Sequence, residues 1–284
     1  MPPAKIDVNT FDFVIRKLRE FCMNEGLKEA CVQHHQSILA ACEDPFTIST
    51  YCHGGNVWPL PQTGQMELEK IMLNESNSRG YYTLTTSYRN EPNIIEGRHH
   101  TTFPMFEVEI DEDMNGLIDF EKRMLAHLGF DLSLAKQKKW NDTASYLSCK
   151  GLNDIGNEEE HRIWKEISPI FFLTHFPLKT SPFWNMKLND VNKEEANKVD
   201  VILYGMETIG SAERSCNPKE MRDMFHTISD GKYAEKLNFE FTKERVESEL
   251  DEYLNSNFRK RSGFGMGLTR LIRAMELANL LPEY

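Results

Sequence analysis

The sequence predicts an α+β fold, an antiparallel sheet flanked by helices, and three observations carry that prediction. A β-rich run from Tyr81 to Tyr88 returns, after a polar loop, as a second run from Phe103 to Glu109. Apolar residues recur at helical spacing near both ends of the chain. The remaining strand-like runs follow one another in antiparallel order with helices outside, without the strand–helix–strand rhythm of a doubly wound parallel sheet.

Along the chain, Phe11, Val14, Ile15, Leu18, Phe21 and Cys22 form the stripe of an amphipathic first helix, with Asn9 or Thr10 as N-cap and Gly26 as stop. The hairpin follows: Tyr81 to Tyr88 turns through Asn90 to Gly97 and returns with Phe103, Met105 or Phe106, and Val108 inward beside outward acids. Helices are expected at about Leu117 to Leu128 and Glu158 to Ile167, and strands at Ile170 to Phe176, Phe183 to Leu188 and Val199 to Tyr204. Helices at about Pro218 to Ile228, Thr242 to Leu254 and Leu268 to Leu280 complete the chain. Residues 131–157 carry the least pattern and are expected as a surface insertion.

The 284 residues, 40% hydrophobic and 11% aromatic, suffice for one large domain over 1–284. No run approaches the roughly 18 apolar residues of a membrane helix, and Met1 to Asp7 lacks a basic segment followed by an apolar core. The expected location is cytoplasmic. The six cysteines (Cys22, Cys31, Cys42, Cys52, Cys149, Cys216) show no C-x-x-C spacing and read as free thiols in a reducing compartment. His34 and His35, beside Cys31, point apart on either regular element and make a poor metal cluster. A net charge of -11, with only short basic runs such as Arg259-Lys260-Arg261, argues against a nucleic-acid partner.

Two segments carry the chemistry. Ser87-Tyr88-Arg89-Asn90-Glu91, followed by Arg98-His99-His100-Thr101-Thr102-Phe103, places a base and an acid two residues apart, so both side chains leave one face of a strand. Ser262-Gly263-Phe264-Gly265-Met266-Gly267-Leu268-Thr269-Arg270 sets three glycines ahead of an arginine at the head of a helix. A lone glycine run is weak evidence; the pair describes an ATP site.

In motif, spacing and order the chain resembles the class II aminoacyl-tRNA synthetases, and within them the aspartyl and asparaginyl branch, over roughly residues 10 to 280. Arg89 to Glu107 is similar to the second motif of that family and Gly263 to Arg270 to its third. Asp200 to Arg214 is similar to its substrate and metal strand, and Gln62 to Glu69 to its amino-acid recognition loop. The resemblance implies that Arg89 holds the α-phosphate and Arg270 the γ-phosphate, making these two the catalytic residues. It also implies that Glu91 accepts from the adenine amine, Phe103 stacks under the ring, and Arg98, His99 and Gly267 complete the ATP site. Asp200 and Glu207 are implied as ligands of Mg²⁺ bound to ATP, the more so if the chain bends at Gly205, and Gln65, Glu69 and Arg214 as the amino-acid contacts. The sequence departs from the family at three places. Leu68 stands where the aspartyl pattern has lysine, with Glu69 resembling the asparaginyl form; Thr269 stands where an acid precedes the arginine; and the proline of the first motif is missing near Gln33 and His34.

Synthetases of this branch carry an N-terminal anticodon-reading barrel, for which no room is expected here. The implied function is therefore an AMP-forming asparagine synthetase that activates aspartate as an aspartyl-adenylate and transfers it to ammonia. The expected partners are ATP, Mg²⁺, aspartate (or asparagine) and ammonia, in a homodimer whose first helix lies at the interface. A minimal aspartyl- or asparaginyl-tRNA ligase, or a transferase to another carrier, is the alternative, and a non-enzymatic nucleotide-binding paralogue the third reading.

Overall fold

A computed structural model describes residues 4–32, 35–38, 45–75, 77–91, 95–148 and 155–283. Gln33, His34, Cys42 and Cys149 lie outside the described residues. The first helix, α1 (Val8–Asn24), starts earlier than its apolar stripe because Asp7 is the N-cap, its carboxylate accepting from the Thr10 N–H. Then come β1 (Lys28–Glu29), a small hairpin β2 (Thr50–His53) and β3 (Asn56–Pro59), and α2 (Gln65–Asn74). The expected hairpin is present as β4 (Gly80–Tyr88) and β5 (Thr102–Ile110) and leads into α3 (Met114–Leu128). Next are β6 (Lys136–Lys139), α4 (Trp140–Tyr146), α5 (Asn157–Glu166), β7 (Ile170–Pro177), β8 (Glu195–Leu203) and β9 (Met206–Glu213). The chain closes with α6 (Pro218–Thr227), α7 (Lys232–Phe241), α8 (Lys243–Leu254), β10 (Ser262–Gly267) and α9 (Leu268–Leu277).

Eight strands form one sheet in the order β1-β4-β5-β10-β9-β8-β7-β6. It is antiparallel throughout its middle and parallel only at the two edges, β1 with β4 and β6 with β7. Alternation sorts its faces. Val108, Val199, Val201, Ile209, Phe264 and Met266 point to a core shared with α1, α3 and α9. The opposite face carries the polar and small residues of the site.

Ser262 to Gly267 is a central strand between β5 and β9, and the helix expected after its glycines follows at Leu268. Two expectations need correction. Phe183 to Leu188 makes only isolated bridges, Met186 with Arg214 and Leu188 with Ala196, because Phe183 and Trp184 turn into the cluster with α6, α7 and α8. Residues 136–146 belong to the sheet instead of decorating it: β6 pairs with β7, and Trp140 is buried against Phe171 and Leu173. The stripe of α1 likewise packs inside its own chain, where Phe21 meets Phe120 of α3 edge to face.

Candidate active site

A cavity of about 550 Å³ opens on the polar face of the sheet, and all eight residues expected to hold ATP line it: Arg89, Glu91, Arg98, His99, Phe103, Glu207, Gly267 and Arg270. Arg89 and Arg270, 181 residues apart in sequence, meet there because β10 enters beside β5 and starts α9 at its end.

At one end, Arg89 continues the β4–β5 ladder through its N–H to Thr101 O, 2.8 Å. Its guanidinium lies 6.0 Å from the centre of the Phe103 ring and 3.9 Å from the Glu91 carboxylate. The Ile95 N–H donates to His99 Nδ1 at 3.3 Å. Arg98 grips Glu160 of α5 through both terminal nitrogens, 2.7 Å each, and Glu160 also accepts the Glu207 N–H at 2.9 Å. Arg270 donates to the Glu207 carbonyl at 2.7 Å. These arginines, with Lys198, give the cavity an excess of cationic groups suited to a polyanion.

Asp200 and Glu207 occupy neighbouring antiparallel strands because Tyr204 and Gly205, both at positive φ, close a two-residue turn. At Gly205 the conformation matters: a Cβ there would press on His161 and Trp164. A register shift between Val201 and Ile202 follows, and Glu207 and Thr208, adjacent in sequence, both reach the cavity. Burial opposes the ionised form of Glu207, but Arg270, Lys198, Arg98 and Arg89 hold it below the usual carboxylate range. Asp200 Oδ2 takes the Lys198 ammonium at 2.6 Å. Among the described residues no three metal-ligating side chains come together. Carboxylate oxygens fit Mg²⁺ carried in on phosphates, which needs one or two such ligands; Glu207 meets that need at the cavity wall.

The expected amino-acid contacts lie behind the wall, and none of them lines the cavity. Gln65 and Glu69 form one face of the first turn of α2, where a loop had been expected. The α2 start is anchored by Glu107, which accepts from Gly64 N at 2.8 Å, Thr85 Oγ1 at 2.5 Å and Thr63 Oγ1. Gln65 Oε1 accepts from Arg214 Nη2 at 2.5 Å, while its amide donates to Phe264 O at 2.8 Å. Glu69 is fully buried and surrounded by donors: Asn185 at 2.8 Å, the Tyr253 hydroxyl at 2.6 Å and Arg261 Nη2 at 2.9 Å, with Arg214 Nε at 3.5 Å. Burial alone would neutralise Glu69, but the two guanidiniums keep it ionised. Glu109 pairs with Arg214 at 3.2 Å, and burial pushes its carboxyl up to about 7. A Cβ at Gly263 would collide with the Glu109 carboxylate, so this strand position requires glycine.

Glu109, Asn185, Lys198, Tyr253, Arg261 and Glu160 were not singled out from the sequence. A signal existed for Glu109: Glu107-Val108-Glu109 puts two acids on one face of a strand, and that face is buried. Arg261 and Tyr253 gave none, because only the fold brings them to Glu69.

The family model of tRNA synthetases class II (D, K and N) matches residues 9–280. A curated relative, the asparagine–tRNA ligase of Thermoplasma acidophilum, is 25% identical over 278 residues, 81% of this chain. The chain spans 59% of the length of that relative. Among solved structures, asparaginyl-tRNA synthetase from Pyrococcus horikoshii complexed with asparaginyl-adenylate superposes with a TM-score of 0.75 at 20% identity, over 95% of this chain and 65% of that one. The Entamoeba histolytica asparaginyl-tRNA synthetase, also with asparaginyl-adenylate, gives 0.71 at 18% identity, over 98% and 66%. Aspartyl-tRNA synthetase from the same organism gives 0.67 at 15%, over 94% and 54%. These structural likenesses establish the fold.

Proposed function

The chain belongs to the class II tRNA synthetases of the D, K and N type, and from that premise we propose that it is an AMP-forming ligase that activates aspartate on ATP and passes it to ammonia. An oxygen of the aspartate side-chain carboxylate attacks the α-phosphorus, and pyrophosphate leaves. The ammonia nitrogen then attacks the acyl carbon, the bond to AMP breaks, a proton passes to solvent, and asparagine is released.

One observation carries the adenylate chemistry: Arg89, Phe103, Glu207 and Arg270 line a single cavity. Arg89 is a forked, always-charged donor suited to the charge that develops on the α-phosphate. Arg270, at the head of α9, supports the leaving phosphates, and Phe103 supplies an apolar face for the base. When Mg²⁺ is bound with ATP it neutralises phosphate charge, and Glu207 would hold it; Asp200, expected to share that role, does not line the cavity and pairs with Lys198.

Aspartate is favoured over asparagine because reading an amide needs an acceptor, and both oxygens of Glu69 already accept from Asn185, Tyr253 and Arg261. Ammonia is favoured over tRNA by the net charge of -11 and the shortness of the basic runs.

A second reading rests on the Thermoplasma relative, an asparagine–tRNA ligase: the chain would then transfer an amino acid to tRNA. Incubation with ATP, Mg²⁺ and aspartate, with and without ammonium, separates the two by mass analysis. Asparagine and AMP, dependent on ammonium, are the expected products. ADP, or asparagine-driven pyrophosphate exchange with charging of tRNA, would overturn the synthetase reading.

A further inference from the structure

The arginine and lysine by which the aspartyl pattern would receive a second carboxylate are both withheld from this cavity. The lysine position is Leu68, buried in α2. Arg214 is 1% exposed and engaged by Gln65, Glu69 and Glu109. The register places another cation on this face. Lys198, Ala212, Gly263 and Glu109 form one row across β8, β9, β10 and β5. The next row is Asp200, Gly210, Gly265 and Glu107. Phe103 lies six residues from Glu109 along β5, at the far end. Lys198 therefore stands at the end of the cavity opposite the adenine platform, in the row of the carboxylate that holds Arg214. Ala212 and Gly263 put no bulk between Lys198 and that end.

Unlike Arg214, Lys198 lines the cavity. Its ammonium lies over Phe176, 3.9 Å from the ring centre, and meets Asp200 at 2.6 Å. An ammonium carries three donors in a rotatable set and can serve more than one carboxylate at once.

We propose that Lys198 is a specificity-determining residue that binds the carboxylate of aspartate that is not activated, with Asp200 as its positioning partner. The inference rests on the aspartate-activating reading and is indifferent to the acceptor. A substrate carrying an amide in place of that carboxylate would present an N–H₂ to an ammonium, donor against donor, and be rejected.

The test is aspartate-dependent ATP–pyrophosphate exchange, which involves no acceptor, with Lys198→Met and Lys198→Arg. Lys198→Met should raise the KM for aspartate by roughly 10- to 100-fold, the size of one charge-assisted contact. The KM for ATP should rise less than that for aspartate, and Lys198→Arg should retain most aspartate affinity. Succinate and succinamate, tested as inhibitors, differ only at one carboxylate; wild type should prefer succinate, and Lys198→Met should lose that preference, which a merely structural defect would not produce. An unchanged aspartate KM, a selective rise in ATP KM, or equal weakening of both inhibitors would overturn the proposal. Lys198-dependent aspartate exchange without asparagine formation would leave it standing and reject ammonia as acceptor. Exchange driven by asparagine alone would reject both.

Discussion

Arg98 and Glu160 meet through two parallel contacts of 2.7 Å, and the same Glu160 carboxylate accepts the main-chain N–H of Glu207. Arg98, which lines the cavity, is thus tied to helix α5 and, through it, to the start of β9.

This clamp predicts a double defect. Glu160→Ala should leave a nearly buried guanidinium without its carboxylate and cost about 3 kcal/mol of stability, read as a lowered denaturant midpoint. The ATP KM should rise as well, because Glu207 loses its backbone anchor. A variant with unchanged midpoint and unchanged KM would refute the clamp.

Arg89→Ala should slow aspartate-dependent pyrophosphate exchange by roughly 10² or more, the usual cost of removing a donor aimed at developing charge. Turnover near wild type would remove Arg89 from the site.

Glu69→Gln separates reader from scaffold. With Asn185, Tyr253, Arg261 and Arg214 all converging on Glu69, the variant loses a charge between two buried guanidiniums and should be destabilised by about 3 kcal/mol. Chemical denaturation measures it. Full stability with lost amino-acid binding would restore Glu69 as a substrate contact.

The buried carboxyls Glu121 and Glu109 should make stability fall as pH rises from about 4.5 toward about 8. Burial raises Glu121 from 4.5 to about 8 and Glu109 to about 7. A carboxyl with a raised folded pKa binds an extra proton in the folded state between its two values, so its contribution declines as pH climbs through that window. Ser211 and Lys122 act against the rise at Glu121, and Asp200 adds to it. His175, lowered from 6.5 by burial, works in the opposite sense only at the acid end. Glu121→Gln should melt several degrees above wild type at about pH 9 and close to it at about pH 4. Parallel melting curves at both would refute the assignment.

Legibility differed by the range of the interaction. The β4–β5 hairpin and α1, α3, α8 and α9 were readable because periodicity and local turns encode them. Most of the expected residues that line the cavity were readable because they fall in two short motifs, Arg89 to Phe103 and Gly267 to Arg270. Phe183 to Leu188 misled because an apolar run says only that it is buried, and here Trp184 packs edge to face on Phe225 and Tyr253. Helix α2 was missed since Gly64 offers no side-chain cap, and its anchor, Glu107, is 43 residues away. Lys198 stayed silent for the same reason: only register across four strands brings it into the row of Glu109.

The central position of β10 bears on how the protein is made. Strands β5 and β9 have no direct ladder, and each pairs with β10 across residues 262–267. On the ribosome, the β4–β5 hairpin and the β7–β8–β9 meander can form early, but they remain separate half-sheets with open edges until that late strand emerges. The two halves of the nucleotide site, Arg89 on one and Glu207 on the other, are joined at the same moment. Nascent chains stalled before residue 262 should therefore aggregate or recruit chaperones more than chains stalled before β9, although they contain nearly all of the sequence.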